Sequence, residues 1–471
     1  MNDNKPSATL ADRWGYPLRT SSGDCVAAID AYYDQVLSYG RNRAVILEAP
    51  INDPACVIGN ALAAYFIGSQ DLHKVSSLLS AAAAALENAT LYEKAVYESI
   101  VPLIGDGRDE EAALSRHFEL VKDYPKNLVS LKRALLLCFC MGQPQLSLNL
   151  VEQVLPQNPD QNFIYGLLAF PLLELGRMAE AETASRRGLE INRSDCWSQH
   201  CLCHVLQYNC RFKEAVEFME SCSSTWSSCS SFMYTHNWWH VAVCYLEGNA
   251  PQGKVLEVYD EKIWKELQSD SDQAEVFVNA LGLLLRFDVR GQMNAVKGRV
   301  FLAAETLKDK SLWHLDWQLD ILALWALARA EESLESDELL SSIKSSRTSH
   351  FKKKQQLVQR ATMLAEAMYA YGRDDHCKVI DILGPDFDAV DYKMIGASDE
   401  QLEVFNEIWY NVLINTGHAF EAIELIKTQL KKREGCPYLW HLLEKAYVLG
   451  GVGDANMAAE KAKALEISYF N

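Results

Sequence analysis

The sequence predicts an all-α fold of stacked antiparallel helix pairs, and three observations carry that expectation. Units starting at Lys94, Leu128, Asn162 and Cys196 repeat every 34 residues, each with two apolar-periodic stretches broken by a polar turn. Long strand-like alternations are missing, so sheet-based architectures are disfavoured. A composition of 49% hydrophobic, 10% aromatic and 23% charged residues supplies the apolar surface that stacking must bury.

Each part of the unit has a local reason. The turns fall at GRDE (107–110), GQPQ (142–145), GRMAE (176–180) and CRFKE (210–214). A small residue recurs in the second helix as Ala113, Ser147, Ala181 and Ala215, where two helices must approach closely. Pro125 and Pro159, also 34 residues apart, stop the second helix, and Arg193 takes that place in the third unit. This is the period of a tetratricopeptide-like α-solenoid, whose units bury their apolar faces on one another. Downstream, AYGRDDHCKVIDIL (370–383), TGHAFEAIEL (416–425) and GGVGDANMAAEKAKALEI (450–467) each read as a turn and a second helix, whereas residues 250–330 are helical without a constant phase.

The domain plan is an N-terminal arm over 1–22, a solenoid over 23–330 with regular units at about 94–229, a polar linker or loop over 331–356, and C-terminal helical repeats over 357–471. The KKK within the linker reads as a solvated face, and GPDFDAVDYKMIGASDE (384–400) as a second loop.

Charge and composition narrow the function classes. A net charge of −18 disfavours nucleic acid and anionic membrane as partners. The first residues, MNDNKPSATLADRWGYPLRT, lack an apolar targeting segment, and LLSAAAAAL (78–86) is too short to span a bilayer. With thirteen cysteines set inside helical patterns, a cytoplasmic location with reduced thiols is expected. There is no GxxxxGK[ST] loop, no strand followed by GxGxxG and no GxSxG elbow, so no catalytic residue and no organic cofactor is assigned.

The order of DRWGYPLRTSS (12–22), DYPKNLVSLK (123–132), DCWSQHCLCHVLQ (195–207), THNWWH (235–240), VYD (258–260) and EVFNE (403–407) resembles the tetratricopeptide repeat protein 38 family over nearly the whole chain. The resemblance implies a cytosolic repeat protein without an established activity. Its pattern has a glutamate where Gln207 stands, an aspartate where Asn279 stands, and a His-Asp pair where Leu135 and Leu136 stand.

Two stretches of this pattern carry potential chemistry. HCLCH (200–204) and HNWWH (236–240) each place two histidines on one helix face, one repeat apart. Three readings fit them: an inter-repeat packing contact with Trp197, Trp238 and Trp239, a polar recognition groove, or a divalent metal site held by His200, His204, His236 and His240. If Gly248 marks the next turn, the second pair is two residues out of phase, which would rotate it by roughly 200°. HCLCH is not HExxH, because Cys201 stands in place of the general-base glutamate. His117, His314 and His376 read as isolated surface or core residues. The leading expectation is a non-catalytic scaffold binding a protein or peptide in its concave groove, with Lys132, Arg133, Gln207, Trp238 and Trp239 as groove candidates. The alternative is a metal-binding protein or metal-dependent enzyme built on the histidine cluster.

Overall fold

The computed structural model describes residues 9–105, 107–268, 273–346 and 355–470. Among these residues the fold is a succession of helices. The only named sheet is a two-stranded antiparallel hairpin, Leu10–Ala11 against Pro17–Leu18. The chain is an all-α, tetratricopeptide-like helical-repeat protein.

One hydrogen bond reveals the repeat better than the sequence does. At the end of the first helix of a pair, one residue turns left-handed and the next donates its N–H to a carbonyl five residues back, which satisfies an orphan carbonyl of the helix end. Gly142, Gly176 and Cys210 are left-handed, and the bonds that follow are Gln143 to Cys138 at 2.8 Å, Arg177 to Leu172 at 2.9 Å and Arg211 to Leu206 at 2.8 Å. The same bond follows left-handed Asn249, Gly291, Glu331, Asp374 and Gly417. The spacing between these marks is 34 residues up to Cys210 and then 39 to 43. The lost phase beyond 250 is therefore a lengthening of the units, and the repeat itself continues. Ala113, Ala181 and Ala215 are fully buried and Ser147 nearly so, as close helix approach requires.

Contact density divides the chain into two compact units. The first holds the residues through Cys201 together with Ser228–Ser230. Its N-terminal arm is tied down from the hairpin onward, because Asp12 accepts the N–H groups of Trp14 (3.0 Å) and Tyr16 (2.9 Å) and the hydroxyl of Tyr92 (2.8 Å). Asn127 caps the helix Leu128–Cys140 by accepting the N–H of Ser130.

The second unit holds Leu202–Ser227 and the residues from Ser231 onward. Five helices matter for the site: α1 (Cys196–Tyr208), whose later half belongs to this unit, α2 (Phe212–Cys222), α3 (Ser231–Glu247), α4 (Gln273–Val289) and α5 (Asp399–Asn415). Within this unit α5, and Arg433 at the end of the following helix Ala419–Lys432, pack against the earlier helices. Glu407 of α5 pairs at 2.8 Å with Arg290, just past the end of α4, Glu247 of α3 pairs with Arg433, and all four side chains are nearly inaccessible. Two buried charge pairs thus lie where these elements meet, a contact that the expectation of an open groove did not include. Removing one partner of such a pair strands the other, so each pair holds its two elements together.

Two boundaries differ from the sequence reading. The stretch expected as a linker over 331–356 is helical over Ser333–Ser346, because Ser336, Leu339 and Ile343 recur at helical spacing on one buried face while charges such as Asp337 and Glu338 stay exposed. Residues 347–354, including the KKK, lie outside the described residues. The loop expected over 384–400 contains a 3-10 turn at Ala389–Ile395 and ends in the capping box of α5, formed by Ser398 and Gln401.

Candidate metal centre

The two histidine pairs meet. His204 of α1 and His240 of α3 have ring centroids 4.3 Å apart, and His236 lies 5.0 Å from His240. His200, one turn earlier on the same continuous helix as His204, stacks on Trp197 at 4.6 Å. Each of the four rings offers a nitrogen within 4.8 Å of the others, and all four residues are buried. The phase slip that threatened this arrangement disappears when the turn is read correctly. The left-handed residue is Asn249 and not Gly248. The slip is then three residues, which leaves a rotation of about 60° and keeps both pairs on one face.

The outer nitrogens of the rings are held by side-chain oxygens. His240 Nδ1 lies 2.9 Å from Gln207 Oε1, His236 Nδ1 lies 2.8 Å from Asn279 Oδ1, and His204 Nδ1 lies 2.7 Å from Glu400 Oε2. For His236 the network fixes the tautomer. Thr235 gives its one hydroxyl proton to the Ser231 carbonyl (2.7 Å) and accepts from Asn279 Nδ2 (2.9 Å), so the Asn279 oxygen faces the imidazole. His236 therefore carries its proton on Nδ1, and Nε2 is the basic nitrogen. The amide of Gln207 and the carboxylate of Glu400 favour the same tautomer at His240 and His204.

Packing holds these rings in place. His236 lies between Phe232 (5.2 Å) and Trp239 (5.4 Å, 6° between planes). Arg286 of α4 sits over Trp239 and donates to the Gly282 carbonyl at 3.0 Å and to the backbone carbonyl of Glu400. Burial drives His236 down to about 4, the Asn279 bond opposing, so the ring is neutral at pH 7. Burial alone would raise Glu400, but the neighbouring His204 outweighs it and holds the carboxyl below its ordinary value.

The five groove candidates are all engaged internally. Lys132 directs its ammonium to the carbonyls of Val36 (2.5 Å) and Leu37 (3.3 Å), over the Tyr39 ring. Arg133 is buried and donates to the Tyr32 hydroxyl, at 3.3 Å. Gln207 serves His240, Trp239 is buried beside His236, and Trp238 is half-buried against Trp226. Of the isolated histidines, His117 is buried with Ser130, His314 bridges Asp320 and Ser342, and His376 stacks on Tyr371. Leu135 is buried and Leu136 exposed, and neither adds a polar group to the cluster. A cavity of about 370 Å³, lined among others by Arg360, Phe387, Asp391 and Tyr392, shares no residue with it.

Sequence reasoning missed Glu400, Thr235 and Arg286. Glu400 sits in the first turn of a helix far along the chain, and nothing in SDE announces a partner for HCLCH.

No family model matches the chain. Among solved structures it is similar to a human IFIT1 dimer with m7Gppp-AAAA, at 14% identity over 92% of this chain and 95% of that one, with a TM-score of 0.43. It is also similar to Naa15/Naa10 bound to HypK-THB, at 12% identity over 80% of this chain and 64% of that one, with a TM-score of 0.24. The P58(IPK) TPR domain matches at 15% identity over 77% of this chain and 99% of that one, with a TM-score of 0.22. With TM-scores below 0.5, these likenesses carry no function over to this chain. Among the described residues no helix is long and apolar enough to cross a membrane.

Proposed function

We propose that this helical-repeat protein binds a divalent transition-metal ion of the zinc class through His200, His204, His236 and His240. The observation that carries the reading is a side-chain oxygen beside Nδ1 on three of these rings, hydrogen-bonded at His240 by Gln207 and at His236 by Asn279, with Glu400 2.7 Å from His204. Metal-bound imidazoles characteristically give their other ring N–H to such an oxygen, which orients the ring and strengthens it as a ligand. Four imidazoles complete the tetrahedral number that zinc prefers. A bound ion would join α1 to α3 directly, and α4 and α5 through Asn279 and Glu400.

Membership of the tetratricopeptide repeat protein 38 family belongs to the same reading, since its most specific segments contain all four histidines. Two departures from its pattern, Gln207 and Asn279, are the amides on His240 and His236. An amide oxygen accepts the same N–H as a carboxylate, so the tautomer is kept while the charge is dropped. The scaffold reading, with a protein or peptide partner and a cytoplasmic location, takes second place because its expected groove residues are engaged inside the protein.

The test is metal analysis on untagged protein, stripped with chelator, reloaded with Zn²⁺ or Co²⁺ and separated from free ion. We expect one ion per chain, and its loss in the double variant His204→Gln, His240→Gln with circular dichroism unchanged. Wild-type protein that is folded yet retains no ion after loading overturns the reading.

A further inference from the structure

Outside the histidine cluster, two cysteines of the first unit stand together. Cys196 is the first residue of α1, and Cys229 lies two residues ahead of α3. Both are almost fully buried. The segment that carries Cys229 runs beside Tyr39–Arg41: Ser230 donates to the Tyr39 carbonyl at 2.6 Å, Arg41 N–H to Ser228 at 3.1 Å, and Cys229 pairs with Gly40 as an isolated bridge. Cys196 Sγ donates to the carbonyl of Ser38 at 3.2 Å, at the start of that same segment. The two thiols are thereby anchored two residues apart on one segment, Cys196 at Ser38 and Cys229 at Gly40, and each perturbs the other's protonation as a close neighbour.

The surroundings make the two thiols unequal: Cys229 and burial hold the Cys196 thiol well above its ordinary value. Cys196 stands at the positive end of a 13-residue helix, and Arg41 donates Nε–H to the Cys229 carbonyl at 2.8 Å. The neighbouring Cys196, with Arg41 and Lys132 adding and burial opposing, holds the Cys229 thiol below its ordinary value. Closure requires the sulfurs to approach to about 2.05 Å. Cys229 sits on a non-helical segment that can supply this movement. A second thiol pair, Cys203 and Cys244, sits in the middle of two packed helices and cannot approach so readily.

We propose that Cys196 and Cys229 are a redox-active dithiol that closes to a disulfide by exchange with a glutathione-class disulfide, tying the start of α1 to the segment entering α3. One thiolate attacks a sulfur of the oxidised glutathione and releases the first reduced glutathione. The second thiolate then attacks the protein sulfur of the mixed disulfide and releases the other. The two protein thiols are oxidised, one glutathione disulfide is reduced to two thiols, and the two protons pass to the departing thiolates.

The test equilibrates the folded full-length protein without oxygen in mixtures of reduced and oxidised glutathione. It then quenches with acid, alkylates under denaturation and maps the peptides by mass. We expect a Cys196–Cys229 cross-linked peptide, about 2 Da lighter than the reduced pair, whose fraction rises from none to most of the chain as the mixture becomes oxidising. Cys203 and Cys244 should stay alkylated over the same range, and Cys229→Ser should leave Cys196 without a protein disulfide partner. The proposal is overturned if both thiols remain fully alkylated in oxidised glutathione alone, or if Cys196 links equally to other cysteines in the wild type. The wild-type measurement decides even where the serine variant folds poorly.

Discussion

His117, in the regular repeats of the first unit, and His236, in the longer repeats of the second, are both buried imidazoles bonded through Nδ1, to Ser130 at 2.7 Å and to Asn279 at 2.8 Å. Burial, with Arg133 adding, drives His117 to about 3, and burial drives His236 to about 4. Yet His117 is a single ring between the second helix of one repeat and the first helix of the next, whereas His236 is one of four gathered rings whose Nδ1 partners come from three helices. A lone satisfied imidazole is what packing produces. Four together concentrate a desolvation cost that apolar side chains of the same volume would avoid, and this points to a ligand.

The largest effect is acid sensitivity, which both buried rings confer and which His117 confers most strongly. His117 folds with a value near 3 against roughly 6.5 unfolded, so above pH 6.5 its contribution to stability is fully present. As the pH falls from 6.5 toward 3 the unfolded chain takes a proton that the folded chain refuses, which costs about 1.4 kcal/mol per unit, of order 5 kcal/mol in all. Denaturant midpoints between pH 7 and 4 should fall less steeply for His117→Gln than for wild type. Equal slopes would mean that the ring charges inside the fold.

Next in size is stabilisation by metal. Zinc at a thousandfold its dissociation constant should raise stability by about 4 kcal/mol. His117→Gln should keep this gain and His236→Gln should lose it, as read by melting with and without the ion. If both variants respond alike, the cluster is packing and the distinction collapses.

The smallest effect tests the oxygens behind the rings. Gln207→Leu removes the acceptor from His240 and should weaken zinc binding by about 10- to 100-fold, with metal-free stability reported separately by melting. Gln207→Glu should restore affinity, because a carboxylate accepts the same proton. A leucine variant that binds as tightly as wild type would remove Gln207 from the site.

The sequence exposed whatever depends on short-range spacing. The 34-residue period located the turns at Gly142 and Gly176, and the i,i+4 spacing located the four rings. It misjudged the turn after α3, because left-handed Asn249 stands beside a glycine that seemed the natural breaker. Where a groove was expected, α5 packs against the earlier helices, and no local pattern around Glu400, Glu407 or Arg433 names partners on helices so distant in the chain. Arg133 is buried beside Tyr32 and Tyr65 and Trp239 beneath Arg286, partners distant in the chain that no local pattern names.

The packing of these late elements against α3 and α4 also changes how the second unit must come apart. In an open array each helix pair touches only its neighbours, so end repeats can fray while the rest persists. Here Arg433 grips Glu247 across 186 residues, and Arg290 grips Glu407 across 117. These long-range contacts close the array on itself, so its first helices are complete only after its last have docked. A chain cut within α5 would lose the cover over His204 and leave Glu247 and Arg290 as stranded buried charges. Contacts between residues so far apart in the chain make slow, cooperative assembly of this unit the expectation, in contrast to an array held by neighbouring repeats alone.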